Sequence, residues 1–444
     1  MRVRTVGSCA ALVLLVTAVQ AISAQRDTAL QRRLDAYVKP YTAARLFSGV
    51  VLIAKGDTLL AHVAVGRRDP AGRVAPTLVT PFHIASLSKA FTAALVVKLA
   101  QEGHLSFDDT LAKFVPGIPN GERITIDQLL RHTAGIGEFD TSRPYLEALP
   151  LDQLVALIAK VPAGFPPGSN DQYSNEGYIL LARIVERASG LSYGEYLRRV
   201  FLAPLALRST AIAAIAAIQP RPGAAHGGKA VMGGAPVSVP RHEAPLLGAS
   251  GLSSTATDLW GWMRGVRSRR IVDYTALRYP YGWGRRNYLG HPLMEQSGSV
   301  EGFGSYMASY EDGYYAVVLS NVQSGMMGRW GPDLAAVLFG GEISTPPPVE
   351  AVRLPQSLAE LAGSYKSPDI GNPLIMERRG DRLWLTWGSF PFWQPLSPIG
   401  RDRFFSLSDY SVFSFLRDGA GRVTGLKMGQ IDGTEAQTVS FVRQ

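Results

Sequence analysis

The chain has 444 residues, 46% of them hydrophobic and 18% charged, a composition that fits a large folded core and excludes a disordered protein. Its formal net charge is +9, yet the longest basic cluster is the short run Arg267–Arg270, which cannot track a phosphate backbone, so no nucleic acid is expected as a partner. At this length two or three domains are expected.

The N-terminus reads MRVR, then the apolar run Cys9–Val19, then small residues that allow cleavage after Ala21 or Ala24. This is the pattern of a secretory signal, assigned to residues 1–24 and set apart from the fold. The apolar run is too short for a spanning helix, which wants about 20 residues, and no later run is long enough either. The expected product is therefore secreted or periplasmic, of bacterial type, with no integral membrane span after cleavage. Cys9 is the only cysteine, so the mature chain would have no disulfide, no thiol nucleophile and no thiolate metal site.

Phe47–Gly66 reads as a hairpin around a Lys-Gly-Asp turn. Phe82–Gly103 reads as a helix that is apolar nearly all round, with Ser86 and Lys89 in its first turn. A helix-dominated stretch follows to about Val200. Within it, Thr125 stands three residues before Gln128, a capping-box spacing, and the segment closes on Gly135. Tyr178–Gly190 is an amphipathic helix with a glycine stop. Gly190–Gly194 matches a G-x-S-x-G elbow, but a helix and not a strand precedes it, so Ser192 reads as the cap of the next helix, with Glu195 completing a capping box. Residues 220–240, rich in Gly, Ala and Pro, read as a loop or flap. Gly304–Asn321 is a second hairpin, and a helix near Pro332–Phe339 follows. Residues 343–355 have the composition of a linker. Beyond them, residues 356–444 read as short strands with turn signals, a sandwich or small barrel. Strands at both ends of a helical insertion imply one sheet built from distant segments, with a cleft against the helical part, over residues 25–342. The fold class is therefore α+β with an all-β C-terminal module.

Ser86 and Lys89, at i and i+3, share a helix face near free N–H groups that favour negative charge. A serine hydroxyl attacks poorly until its proton is taken, and a desolvated lysine holds its own proton less tightly. No other lysine has a serine three residues earlier. Tyr173 and Asn175 stand two apart before a helix, where both project to one side. A tyrosine beside a cation can exchange protons with a hydroxyl, and an asparagine can position both amine and substrate. Gln296, Ser297 and Gly298 precede a strand whose N–H groups could meet a substrate carbonyl. A second Gln-Ser-Gly, Gln323–Gly325, follows its strand. His132 reads as a hydrogen-bonded structural histidine. No histidine pair has metal-ligand spacing, and neither metal nor organic cofactor is expected.

These segments, in this order, resemble the serine beta-lactamase-related family: class C beta-lactamases, DD-carboxypeptidases of the penicillin-binding type, related esterases and D-aminopeptidases. The likeness runs from about Leu30 to Phe339 and includes FHIASLSKAFTAALVVKLAQEG, ITIDQLLRHTAGI, YSNEGYILLARIVERASG and SGSVEGFGSYMASYEDGYYAVVLSN. The C-terminal module is similar to the lipocalin-like barrel appended to some members. The resemblance implies a beta-lactamase-like sheet flanked by helices, with Ser86 as the acylated serine, Lys89 as its proton-transfer partner, Tyr173 as general base and Asn175 as the second-motif asparagine. It also implies an oxyanion hole from the N–H groups of Ser86 and Ser299. Gln296, Ser297 and Gly298 stand where the family carries Lys-Thr-Gly or a His-x-Gly variant. Gln296 supplies hydrogen bonds but no charge, which speaks against substrates bearing a carboxylate. The expectation is an exported serine hydrolase acting on a small-molecule or short-peptide ester or amide. Two alternatives are a non-catalytic binding or scaffold protein on the same fold, and a C-terminal module that carries a small ligand.

Overall fold

A computed structural model describes residues 27–68, 74–139, 149–212, 225, 228–229, 237–238, 246–269, 271–273, 280–343, 345, 358–368, 370–388, 393–406, 411–430 and 438–444. The signal read at 1–24, most of the 220–240 segment and nearly all of the 343–355 linker lie outside them. The first lobe begins with helix α1 (Thr28–Ala43) and the hairpin β1 (Gly49–Lys55) and β2 (Thr58–Val65). A short strand β3 (Phe82–His83) leads to α2 (Ser88–Gln101), α3 (Leu111–Phe114), α4 (Ile126–Leu130), α5 (Leu151–Ile158), α6 (Asn175–Ser189) and α7 (Tyr193–Leu197). Short strands β4 (Ala211–Ile212), β5 (Gly228–Lys229), β6 (Val237–Ser238) and β7 (Leu252–Ser254) precede α8 (Ala256–Arg267). The lobe closes with β8 (Gly284–Tyr288), β9 (His291–Val300), β10 (Phe303–Tyr310), β11 (Tyr314–Ser320), β12 (Val322–Gln323) and α9 (Trp330–Phe339).

The six-stranded sheet has the order β2-β1-β11-β10-β9-β8, so the first hairpin joins strands more than 200 residues later, all antiparallel. Both faces are covered, and strand periodicity divides the residues between two cores. Val50, Leu52, Val317 and Leu319 belong to one apolar cluster with α2, α6 and α8. Val51, Ile53, Ala316 and Val318 belong to the other with α1 and α9. This explains why β1 is apolar at consecutive positions and not alternating. Helix α2 is buried on nearly every side, at about 1.5–3 kcal/mol per fully buried large aliphatic side chain. The apolar wrap read from its sequence is thus a central helix between sheet and helical lobe.

Capping follows the sequence at several points. Thr125 and Gln128 form the capping box of α4, Ser192 and Glu195 that of α7, and Gly190 ends α6 at φ +70°. One boundary differs. Helix α4 stops at Leu130, and His132 takes the left-handed turn at φ +61° before Gly135 is reached.

The C-terminal strands β13 (Gly363–Ser367), β14 (Ile370–Arg379), β15 (Arg382–Trp387), β16 (Gln394–Pro398), β17 (Arg403–Ser406), β18 (Ser411–Arg417), β19 (Val423–Gln430) and β20 (Val439–Arg443) form a closed barrel. Its inward positions, among them Leu374, Met376, Leu385, Phe404, Phe413 and Phe441, are buried against one another. They form the barrel's own apolar core. The alternation sends the paired residues Phe405 and Val412 outward, where they join the apolar cluster of α1, α9 and the sheet.

Candidate active site

Ser86 sits one step ahead of where the sequence pattern placed it. Residues Ala85–Leu87 form a 3-10 turn, and α2 begins at Ser88. Ala85 holds φ +48°, a conformation that costs a residue with a β-carbon about 1–2 kcal/mol. The turn is pinned from several sides. His83 Nδ1 accepts the Ala85 N–H at 3.1 Å. The Ser88 hydroxyl donates to the Ala85 carbonyl at 2.7 Å and accepts the Leu252 N–H at 3.1 Å. From β10, the buried Ser305 hydroxyl lies 2.7 Å from the Ile84 carbonyl and 3.3 Å from the Gly298 carbonyl. Neither Ser88 nor Ser305 stands out in the sequence, because their bonds join segments remote along the chain.

Lys89 is fully buried, yet its side chain ends among oxygens. Nζ donates to Ser86 Oγ at 3.2 Å, to Asn175 Oδ1 at 2.7 Å and to the Ala249 carbonyl at 3.0 Å. It lies 4.6 Å from the centre of the Tyr173 ring. The Tyr173 hydroxyl lies 2.9 Å from Ser86 Oγ. Tyr173 is 50% exposed, so the hydroxyl side of this cluster is open to a substrate. Asn175 is the first residue of α6, whose N-cap Ser174 accepts the Gly177 N–H at 3.0 Å.

The Gln296–Ser299 segment precedes β10, as its sequence implied, but is itself part of a strand, β9. Gly298 is buried against the serine turn. A β-carbon there would lie 2.8 Å from the Ser86 nitrogen and 2.7 Å from the Ile84 carbonyl, so only glycine allows this approach. Gln296 Nε2 donates to the Ser86 carbonyl at 3.4 Å. Ser297 and Ser299 are exposed. The Ser299 hydroxyl accepts a hydrogen bond from Gln323 at 3.0 Å, which brings the second Gln-Ser-Gly beside the first. Among the described residues no three His, Cys, Asp or Glu side chains gather into a metal site.

A family model described as Beta-lactamase matches residues 34–337. The chain belongs to the Beta-lactamase family. Among its relatives, Penicillin-binding protein 4* of Bacillus subtilis (strain 168) is 33% identical over 172 residues, covering 37% of this chain and 38% of the relative. Protein flp of Staphylococcus aureus (strain COL) is 28% identical over 302 residues, covering 62% of this chain and 59% of the relative. The matches thus span less than two thirds of either relative. The octameric penicillin-binding protein homologue from Pyrococcus abyssi superposes with a TM-score of 0.61 at 24% identity, over 93% of this chain and 98% of that one. The D-amino acid amidase from Ochrobactrum anthropi SV3 gives a TM-score of 0.61 at 24% identity, over 70% and 97%. These structures share the beta-lactamase and penicillin-binding-protein fold, and the Pyrococcus match extends over the barrel as well.

Proposed function

We propose that this Beta-lactamase family member is an exported serine hydrolase that cleaves an ester or amide through an acyl-enzyme on Ser86. The observation that carries the reading is the meeting of three groups: Ser86 Oγ has the Tyr173 hydroxyl at 2.9 Å and the Lys89 amine at 3.2 Å. In this scheme Ser86 Oγ bonds to the substrate carbonyl carbon while its proton passes to the Tyr173–Lys89 pair. The carbonyl oxygen gathers negative charge, and N–H groups of Ser86 and Ser299 are assigned to it. Collapse breaks the bond to the leaving group, which takes the proton. Water then attacks the acyl group, gives a proton back to the pair and frees Ser86.

Gln296 bears on the choice of substrate. Its amide brings no positive charge to the cleft, which favours neutral esters and amides over substrates that present a carboxylate, such as beta-lactams and D-Ala-D-Ala termini. The leader at 1–24 supports export, and the composition of 343–355 supports a linker between a hydrolase domain at 25–342 and a barrel domain at 356–444. Sequencing the N-terminus of protein recovered from a bacterial periplasm tests the first, and limited proteolysis the second.

The test of function is a hydrolysis profile of the mature protein on nitrocefin, short-chain aryl esters and D-aminoacyl anilides, with Ser86→Ala as control. Ser86-dependent turnover of esters or anilides above nitrocefin supports the reading. Folded protein that turns over none of them favours the non-catalytic scaffold, which the uncharged Gln296 alone supports.

A further inference from the structure

Tyr173 is half exposed and lies outside helix and strand, so its place above Ser86 needs a separate cause. His132, 41 positions earlier in the chain, grips the backbone on both sides of it. The His132 carbonyl accepts the Gln172 N–H at 3.0 Å. Its Nδ1 accepts the Ser174 N–H at 3.0 Å. The imidazole also stacks on the Tyr173 ring, centres 4.7 Å apart and planes at 30°, with Tyr178 at 5.1 Å from it. His132 itself sits at φ +61°, a left-handed conformation uncommon outside glycine, though less so for histidine than for most residues.

We propose that His132 is a positioning residue that holds the Tyr173 hydroxyl against Ser86. The inference rests on the reading that Tyr173 handles the Ser86 proton. The grip has a chemical requirement. Nδ1 must present a lone pair to the Ser174 N–H, so the ring must be neutral. Burial and the neighbouring charge of Lys89 favour that form, pushing the imidazole down to about 4. The requirement also distinguishes replacements. Asparagine tolerates the left-handed backbone and offers an acceptor near the Nδ1 position; glycine tolerates the backbone and offers none.

The experiment compares His132→Asn and His132→Gly, alone and combined with Tyr173→Phe, by kcat, KM and thermal melting. A misplacement of about 1 Å costs on the order of 10²-fold in rate, so His132→Gly should lower kcat by about that factor with KM little changed. His132→Asn should recover at least about tenfold of the loss. With Tyr173→Phe present, no hydroxyl remains to be placed, and His132→Gly should change kcat by less than about threefold. Wild-type kcat in His132→Gly, or an equal loss with and without the Tyr173 hydroxyl, would overturn the inference alone. A wild-type protein without Ser86-dependent turnover would remove the hydrolase reading and this inference with it.

Discussion

Replacing Lys89 by methionine separates the chemistry of the buried amine from its packing, since methionine keeps an unbranched stem of similar length. The side chain is fully buried, and its amine serves Ser86 Oγ, Asn175 Oδ1 and the Ala249 carbonyl. Without it, Asn175 Oδ1 and the Ala249 carbonyl lose a donor, at about 1–3 kcal/mol each. Against this stands the cost of withdrawing a lysine's charge from water, several kcal/mol, which methionine does not carry. The two terms offset, and the net stability change should stay within about 2 kcal/mol. Activity has no such offset. Losing a positioned proton-transfer group costs about 10²–10⁴-fold, or roughly 3–5 kcal/mol of barrier. The assay is kcat/KM on the best ester or amide substrate beside a thermal melt of the same preparation. Lys89→Met within about tenfold of wild type would refute the catalytic role. An unfolded Lys89→Met would refute the offset and make the amine a structural residue.

Tyr173→Phe removes only the hydroxyl of a half-exposed ring, so it should fold normally and lose about 10²–10⁴-fold in kcat. A circular dichroism melt beside the rate measurement checks both halves. Gly298→Ala would place a β-carbon 2.6 Å from Ser305 Oγ and 2.8 Å from the Ser86 nitrogen, forcing β9 away from the serine turn. It should cost about 1–3 kcal/mol in denaturant titration and lower the rate. Phe405→Ala empties a fully buried position between barrel and first lobe and should cost about 3–5 kcal/mol, read by the same titration.

A pH test follows from His132, which faces Lys89, Tyr173 and Tyr178. With a native value lowered to about 4 and an unfolded value near 6.5, the unfolded chain takes the proton first. The contribution is full above about pH 6.5 and is lost as pH falls toward 4. Glu176, raised by burial, works in the opposite sense, and His83, lowered by burial, in the same sense as His132. Both remain in His132→Asn, so the stability difference between wild type and variant isolates His132. It should shrink by up to about 3 kcal/mol from pH 6.5 to 4, and a constant difference would contradict the account.

The parts legible in the sequence were those coded locally. The capping boxes at Thr125 and Ser192, the stop at Gly190 and the period-two strands of the barrel depend on neighbours within a few residues. Ser86 and Lys89 were legible for the same reason, although the 3-10 turn before α2 was not, because the residues flanking Ala85, Ile84 and Ser88, are held by Ser305 and Leu252 from far along the chain. The meeting of Tyr173 with Ser86 spans most of the helical lobe, and only the order of motifs pointed to it. Ser305 carried no mark at all, and His132 read only as a hydrogen-bonded structural histidine. One looks like an ordinary helix-end histidine and the other like a strand serine, and their work is visible only once α4, α6, β9 and β10 are packed. Gln296–Gly298 read as leading into β10, and their own place in β9 went unread because glycine and serine weaken strand propensity, whereas close approach to the serine turn demands that glycine.

The most direct test of the central claim is covalent: incubate the folded mature protein with a fluorophosphonate, measure its intact mass and map the modified peptide. The account predicts one adduct, on Ser86, that is absent from Ser86→Ala and forms far more slowly in Lys89→Met. Folded protein with no adduct, or an adduct that survives Ser86→Ala, would contradict it.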